Sequence, residues 1–323
     1  MQDEGHLEWI GNWERVRRRR PKALATKLAV LVDDKPDGSK KVRFIVDMLR
    51  SGINGLTKMK ERIILPGVLD LWKGNRVADF EVEMLVVDIV DAFLNLRIQE
   101  EERAYAIVRD EEHYYAYRGV PFGLASAPLL WGRVAAWLGR SAQAVSKPSG
   151  LAMQIYVDDP IPTAAGSKKT RTRALAKVIL FWLALGVRLS WPKASLGTKV
   201  EWIGASYTAH KGALTATFPT QRIEKLMGKV NSHPLSREMT AGLASLAGEM
   251  SSVAGIVPSV RSFVTMLYGA VHEAERREDA PAEATRKRPR TLAFVKQVEY
   301  PLQWILAFLK RGPTRPLQDS LSC

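Results

Sequence analysis

The alternation of apolar and polar residues divides the chain into a first part of mixed strands and helices and a second part of helices alone. LAVLV and VRFIV are short apolar runs on either side of the turn-forming stretch DDKPDGSKK (33–41), where Pro36 and the Asp37-Gly38 pair read as a hairpin tip. MLVVDI reads as a further strand, and RAYAIVR and YYAYRGV flank the turn DEEH as a second hairpin. Residues 127–145 have helical spacing, with Pro128 near the start, where proline is tolerated. MQIYV predicts a buried strand running into Asp158-Asp159. Residues 168–185 predict a helix with a basic opening turn, and VEWIGASY a single strand. Beyond Pro219, Ile223, Leu226, Met227 and Val230 share one helix face, and Arg222, Lys225 and Lys229 share another. Segments 237–254, 259–274 and 292–310 are also predicted helical, the last after a charged, Pro- and Ala-rich linker (275–290). This order predicts an α+β core with an appended helical lobe.

Composition adds partners and compartment. The 323 residues are 46% hydrophobic, enough for more than one lobe. No run of about 18 apolar residues occurs, so no membrane partner is expected. The N-terminal MQDEGHLEWIGNWERVRRRR lacks the apolar run of a signal peptide. Cys323 is the sole cysteine, which rules out internal disulfides and cysteine zinc sites and suits the cytoplasm or nucleus. The net charge of +14 favours a polyanion partner, because neutralising phosphates releases condensed counterions. The run Arg17–Arg20 reads by default as a solvated arm, with a localisation signal or a phosphate contact as the alternatives.

Asp88, Asp158 and Asp159 each end an apolar strand. A carboxylate beside a core is either a turn former or a metal ligand. Phosphoryl transfer from a triphosphate needs two divalent ions about 4 Å apart, held by two or three carboxylates on adjacent strands.

VVDIVDAFLNLRI (86–98), GVPFGLASAPLLW (119–131) and YVDD (156–159) resemble, in order, motifs A, B and C of reverse transcriptases. The motif B stretch is similar to the form found in gypsy-like and DIRS-type retrotransposons. LGVRLSWPKASLG (185–197) resembles motif D, VEWIGASY (200–207) the primer grip, KVRFIVDMLRSGIN (41–54) the fingers segment, and residues 243–271 the thumb. The resemblance implies a right-hand polymerase with fingers, a palm of antiparallel sheet backed by helices, and a helical thumb. The corresponding division is a basic lead-in (1–34), fingers and palm (35–217), thumb (218–275), and a linker with the stub of a connection region (276–323), without RNase H. It further implies an RNA-directed DNA polymerase that takes an RNA or DNA template with primer and dNTPs, and two Mg²⁺ ions for which Mn²⁺ can substitute.

By the same resemblance, Asp88, Asp158 and Asp159 are the metal-binding aspartates, joined by the main-chain carbonyl of Ile89. Backbone N–H groups of Asp91 and Ala92 face the triphosphate, and Phe93 is the steric gate against a 2′-hydroxyl. Phe122 and Gly123 shape the nucleotide pocket, and Arg43, with Lys35 or Lys41, holds phosphates. Lys193 assists the leaving pyrophosphate, and Trp202, Ile203 and Gly204 form the primer grip. Arg222, Lys225 and Lys229 face the duplex. Taken alone, Phe93 reads as core, Lys193 as a solvated turn residue, and the basic helix face as a solvated face. Three departures stand out. Trp131-Gly132 replaces the usual Phe-Gln, and Val42 replaces a tryptophan. Pro160 and Pro162 follow the aspartate pair, so that half of the hairpin is expected to be distorted or an edge. A catalytically impaired copy that only binds nucleic acid, or one that dimerises with a second polymerase copy, is the competing reading.

Overall fold

The computed structural model describes residues 5–34, 38, 40–74, 80–146, 150–210, 213–232, 238–278, 292–293 and 295–317. Strand β1 (Leu7–Gly11) leads into helix α1 (Trp13–Arg19), whose first turn is capped by the Asn12 side chain accepting the Arg15 N–H. The hairpin read from LAVLV and VRFIV is present as β2 (Ala25–Asp34) and β3 (Lys40–Val46), while most of its tip lies outside the described residues. Two short helices, α2 (Ile53–Leu56) and α3 (Val68–Gly74), precede strand β4 (Val82–Ile89). The second predicted hairpin is β5 (Ile107–Asp110) and β6 (His113–Tyr117). These strands form a sheet of order β1-β6-β5-β2-β3, with one parallel pairing, β2 on β5.

A second sheet carries the aspartates. Helix α4 (Ala127–Ser146), hairpin β7 (Leu151–Tyr156) and β8 (Asp159–Ala165), helix α5 (Lys168–Ala184) and strand β9 (Leu189–Gly197) follow in sequence. With β4 they make an antiparallel sheet of order β7-β8-β4-β9, and α4 and α5 pack against each other and against β7 and β8. The period of two along β4 sorts its side chains. Val82, Met84 and Val86 face one core cluster, and Val87 and Ile89 face the other, beneath α4 and α5. Asp88 falls in the row of Val82, Met84 and Val86, at the end where that core runs out.

Of the two outcomes expected of the prolines, a distorted strand or an edge, the edge is not found: β8 lies inside the sheet. Parity explains it. Tyr156 pairs with Asp159 across a two-residue turn, so Ile155↔Pro160 and Met153↔Pro162 are the non-hydrogen-bonded pairs of the β7–β8 ladder. The absent N–H groups would point towards β4, whose pairing with β8 stops at Met84↔Thr163.

VEWIGASY is a hairpin and not the single strand predicted. Strands β10 (Lys199–Trp202) and β11 (Ala205–His210) are joined by Ile203 and Gly204, both at positive φ (+42° and +77°). Two successive positive φ values describe a type I′ turn, which glycine accepts readily and a β-branched isoleucine does not. Strand β12 (Ala213–Thr217) continues this sheet into helix α6 (Thr220–Ser232). Strand β13 (Glu238–Met239), helices α7 (Thr240–Ile256) and α8 (Arg261–Glu278), strand β14 (Leu292–Ala293) and helix α9 (Val295–Lys310) follow. Helix α8 thus extends past residue 275, where the linker was expected, and most of the remaining linker lies outside the described residues. Helix α9 packs on α8 and α6, and the last strand, β15 (Thr314–Leu317), pairs with β12. One core cluster runs through from α3 and β4 to this helical lobe.

Candidate active site

The turn between β7 and β8 holds Val157 and Asp158, with Asp159 opening β8. Val157 takes a φ of +56°, unfavourable for a β-branched residue and sustained only where surrounding structure over-determines it. Three hydrogen bonds do so. Ile89 N–H, at the end of β4, donates to the Asp158 carbonyl at 2.9 Å. Trp131 Nε1–H, from α4, donates to the Val157 carbonyl at 2.6 Å, and Trp202 Nε1–H, from β10, to the Asp159 carbonyl at 2.9 Å. Both indoles are buried, so each fixes the turn from within a core.

This brings Asp88, Asp158 and Asp159 together electrostatically. Burial pushes the Asp159 carboxyl up to about 6, reinforced by the charges of Asp158 and Asp88. Asp158 is also raised, first by burial and also by Asp88. Lys193 Nζ donates to Asp88 Oδ2 at 2.7 Å, and that bond holds the ammonium in its charged form. Lys193 does not lie in a simple turn. On β9 the register jumps from Asp88↔Ser190 to Val86↔Ser195, so residues 191–194 arch out opposite Val87. Lys193 sits on that arch and reaches back over the sheet.

Among the described residues, no three His, Cys, Asp or Glu side chains are gathered closely enough to hold a metal ion. Asp88 is turned instead to Lys193. The donor set still fits a hard divalent cation. It offers hard oxygen donors, and a divalent charge would relieve the burial and the like charges that raise Asp158 and Asp159.

Beyond Asp88 the chain turns sharply. Asp91 has a φ of +54°, and its Oδ2 accepts from Arg188 Nη2 at 2.8 Å, with His6 Nε2 at 3.5 Å. Ala92 is buried. Phe93 is half-buried against the α4–α5 core and meets Phe122 edge-on, with ring centroids 5.2 Å apart. Phe122 is 49% exposed, so one side of the pair is open to solvent. A Cβ on Gly123, at φ +98°, would collide with the Val46 carbonyl oxygen, so glycine is required by the close approach of β3. Asn54 spans the same loop, donating to the Gly123 carbonyl at 2.9 Å and accepting from Ala125 N–H at 2.8 Å.

The remaining predicted residues are dispersed. Arg43 lies on β3 opposite Leu31, but its side chain, that of Lys41 and all of Lys35 fall outside the described residues. Arg222, Lys225 and Lys229 all turn towards α7. Arg222 donates to the Gly204 carbonyl and to Ser252, Lys229 pairs with Glu249, and Lys225 lies 3.7 Å from Glu249. Those cations, Lys229 foremost, hold the Glu249 carboxyl below its usual range. His6 and Arg188 gave no sequence signal of a role here. Trp131 was visible only as a departure from the motif B pattern.

Residues 70–207, from within α3 to the middle of β11, match the family model described as reverse transcriptase (RNA-dependent DNA polymerase). That segment is a reverse transcriptase domain. This is the domain of RNA-directed DNA polymerases, a class of nucleotidyltransferases, and it contains all three aspartates. The fold is similar to that of a foamy viral protease-reverse transcriptase in complex with double-stranded DNA. That match has a TM-score of 0.63 at 16% identity, covering 97% of this chain and 46% of the other. Another structure of the foamy viral enzyme with double-stranded DNA gives 0.62 at 16% identity, covering 97% and 55%. One with an RNA/DNA hybrid gives 0.59 at 16%, covering 88% and 34%. The chain therefore spans about half the length of the first of these relatives. No curated protein sequence matches it.

Proposed function

We propose that this chain extends a primer with deoxynucleotides along an RNA or DNA template, and that it derives from a retroelement of the gypsy-like or DIRS type. The observation that carries the reading is the electrostatic coupling of Asp88, Asp158 and Asp159 within the reverse transcriptase domain, partly offset by Lys193. Those carboxylates, with the Ile89 carbonyl, would hold two Mg²⁺ ions. When bound, the ions activate a primer 3′-hydroxyl and neutralise the departing pyrophosphate. Lys193 presents an ammonium beside the same carboxylates, suited to a developing negative charge. The Asp91–Ala92 backbone offers N–H donors at the turn beyond Asp88. The Phe93 and Phe122 rings bound the space where a sugar would lie and exclude by shape. Trp202 ties the β10–β11 turn to Asp159, so a primer end held at Ile203 and Gly204 would keep its register with the carboxylates. The retroelement type rests on the sequence GVPFGLASAPLLW.

Primer extension on a homopolymer template with Mg²⁺ or Mn²⁺ tests the proposal. Asp88→Asn and Asp158→Asn should each abolish extension while leaving template-primer binding nearly intact, because each removes charge but little volume. Parallel loss of binding and extension would sink the ligand assignment. A copy that only binds nucleic acid, alone or paired with a second polymerase copy, would bind without extending.

A further inference from the structure

The segment before the family match reaches into the site. Strand β1 pairs with β6, Leu7 opposite Tyr117, and Arg118 N–H donates to the His6 carbonyl at 2.9 Å. His6 is thereby fixed by backbone bonds. Its side chain is nine-tenths buried, with Nε2 3.4 Å from Arg188 Nη2 and 3.5 Å from Asp91 Oδ2. A guanidinium only donates, so Arg188 Nη2 meets the lone pair of Nε2, and the imidazole backs the Arg188–Asp91 pair. The same Nη2 donates to Asp91 Oδ2 at 2.8 Å, and the Arg188 carbonyl accepts the Val90 N–H at 2.9 Å. The Asp91 carboxylate is therefore held by a guanidinium that His6 seats, while its backbone stands at positive φ.

We propose that His6 is a positioning residue for the nucleotide-binding turn 91–93, acting through Arg188 and the Asp91 carboxylate it holds to keep the Asp91 and Ala92 N–H groups presented to a triphosphate. This rests on the polymerase reading above. A non-glycine residue at positive φ persists only under outside restraint. The restraint here includes a residue far away in sequence and outside the matched domain. His6 does not touch the reacting atoms.

Two variants and two measurements test it on the full chain. His6→Leu fills the volume without an acceptor. His6→Gln restores a carbonyl acceptor near the position of Nε2. In single-nucleotide primer extension, His6→Leu should raise KM for dNTP about tenfold with kcat little changed, the scale expected for losing one hydrogen bond to a charged group. His6→Gln should recover most of that loss. Amide hydrogen exchange across residues 89–95 should be faster in His6→Leu and restored in His6→Gln. Unchanged KM and exchange in His6→Leu would overturn the proposal, as would failure of His6→Gln to rescue either. If the parent chain extends no primer, the polymerase reading fails, and the exchange comparison still decides whether His6 holds the turn.

Discussion

Asp159 is the residue on which burial and like charge act most openly. Its carboxyl is raised to about 6, so the folded protein binds that proton more tightly than the unfolded chain does. The stability it contributes is complete below the ordinary aspartate value of about 4 and is lost as pH rises through 6. Glu100 and Glu249, both lowered by cationic partners, act with the opposite sign and below the ordinary glutamate value, outside this window. Without divalent metal, the parent should therefore melt at a higher temperature at pH 5 than Asp159→Asn would predict from its own pH profile. Identical profiles for parent and variant would rule out the coupling. Phe93 carries a second prediction at this scale. As a gate, its truncation to valine should raise ribonucleotide relative to deoxynucleotide incorporation about tenfold or more. As a core residue, truncation would lower both together, at a cost of about 3–5 kcal/mol for full loss of the ring. The ratio on folded variant separates them. The resemblance at Phe93, Asp88 and the aspartate pair was legible because their neighbours in sequence carry the motif. His6 was not, because its meaning lies in the distant residues that surround it.

At the scale of elements, periodicity revealed the hairpins and the long helices α4 and α5, and what it missed has identifiable causes. The β10–β11 turn went unseen because Ile203 occupies a position that asparagine or glycine would have announced. The arch of β9 was hidden because a bulge leaves no periodic trace once it spans several residues. The prolines of β8 misled until the hydrogen-bonding parity of the ladder was known. Helices α6 and α7 yield a prediction about charge. Glu249 draws Lys225 and Lys229 towards it, so Glu249→Gln should free cationic charge on α6. Template-primer affinity should rise and its salt dependence steepen. Stability should fall by only about 1 kcal/mol or less, the usual worth of partly exposed pairs. Weaker binding by this variant would mean that Glu249 orients α6 more than it masks its charge.

For the whole molecule, net charge sets how it meets a polyanion. With +14 on the chain, the logarithm of template-primer affinity should fall linearly with the logarithm of salt concentration, with a slope of about −0.9 for each phosphate neutralised. Filter binding across low to physiological salt measures it. A slope near zero would show the charge to be dispersed over the surface and not gathered along a groove.

The turn at Val157–Asp159 is gripped by residues from β4, α4 and β10, and two of those contacts close loops of 26 and 43 residues. Such non-local contacts form late, after their loop-closure entropy has been met by collapse elsewhere. A chain refolding from denaturant would therefore pass through a stage with its helices formed and its sheets partly assembled, yet without a competent carboxylate cluster. Recovery of primer extension should lag behind recovery of far-ultraviolet circular dichroism and follow the slowest phase of tryptophan fluorescence, since Trp131 and Trp202 report on the turn directly. In kinetic terms, the gripped turn at Val157–Asp159 is the last part of this fold to be set.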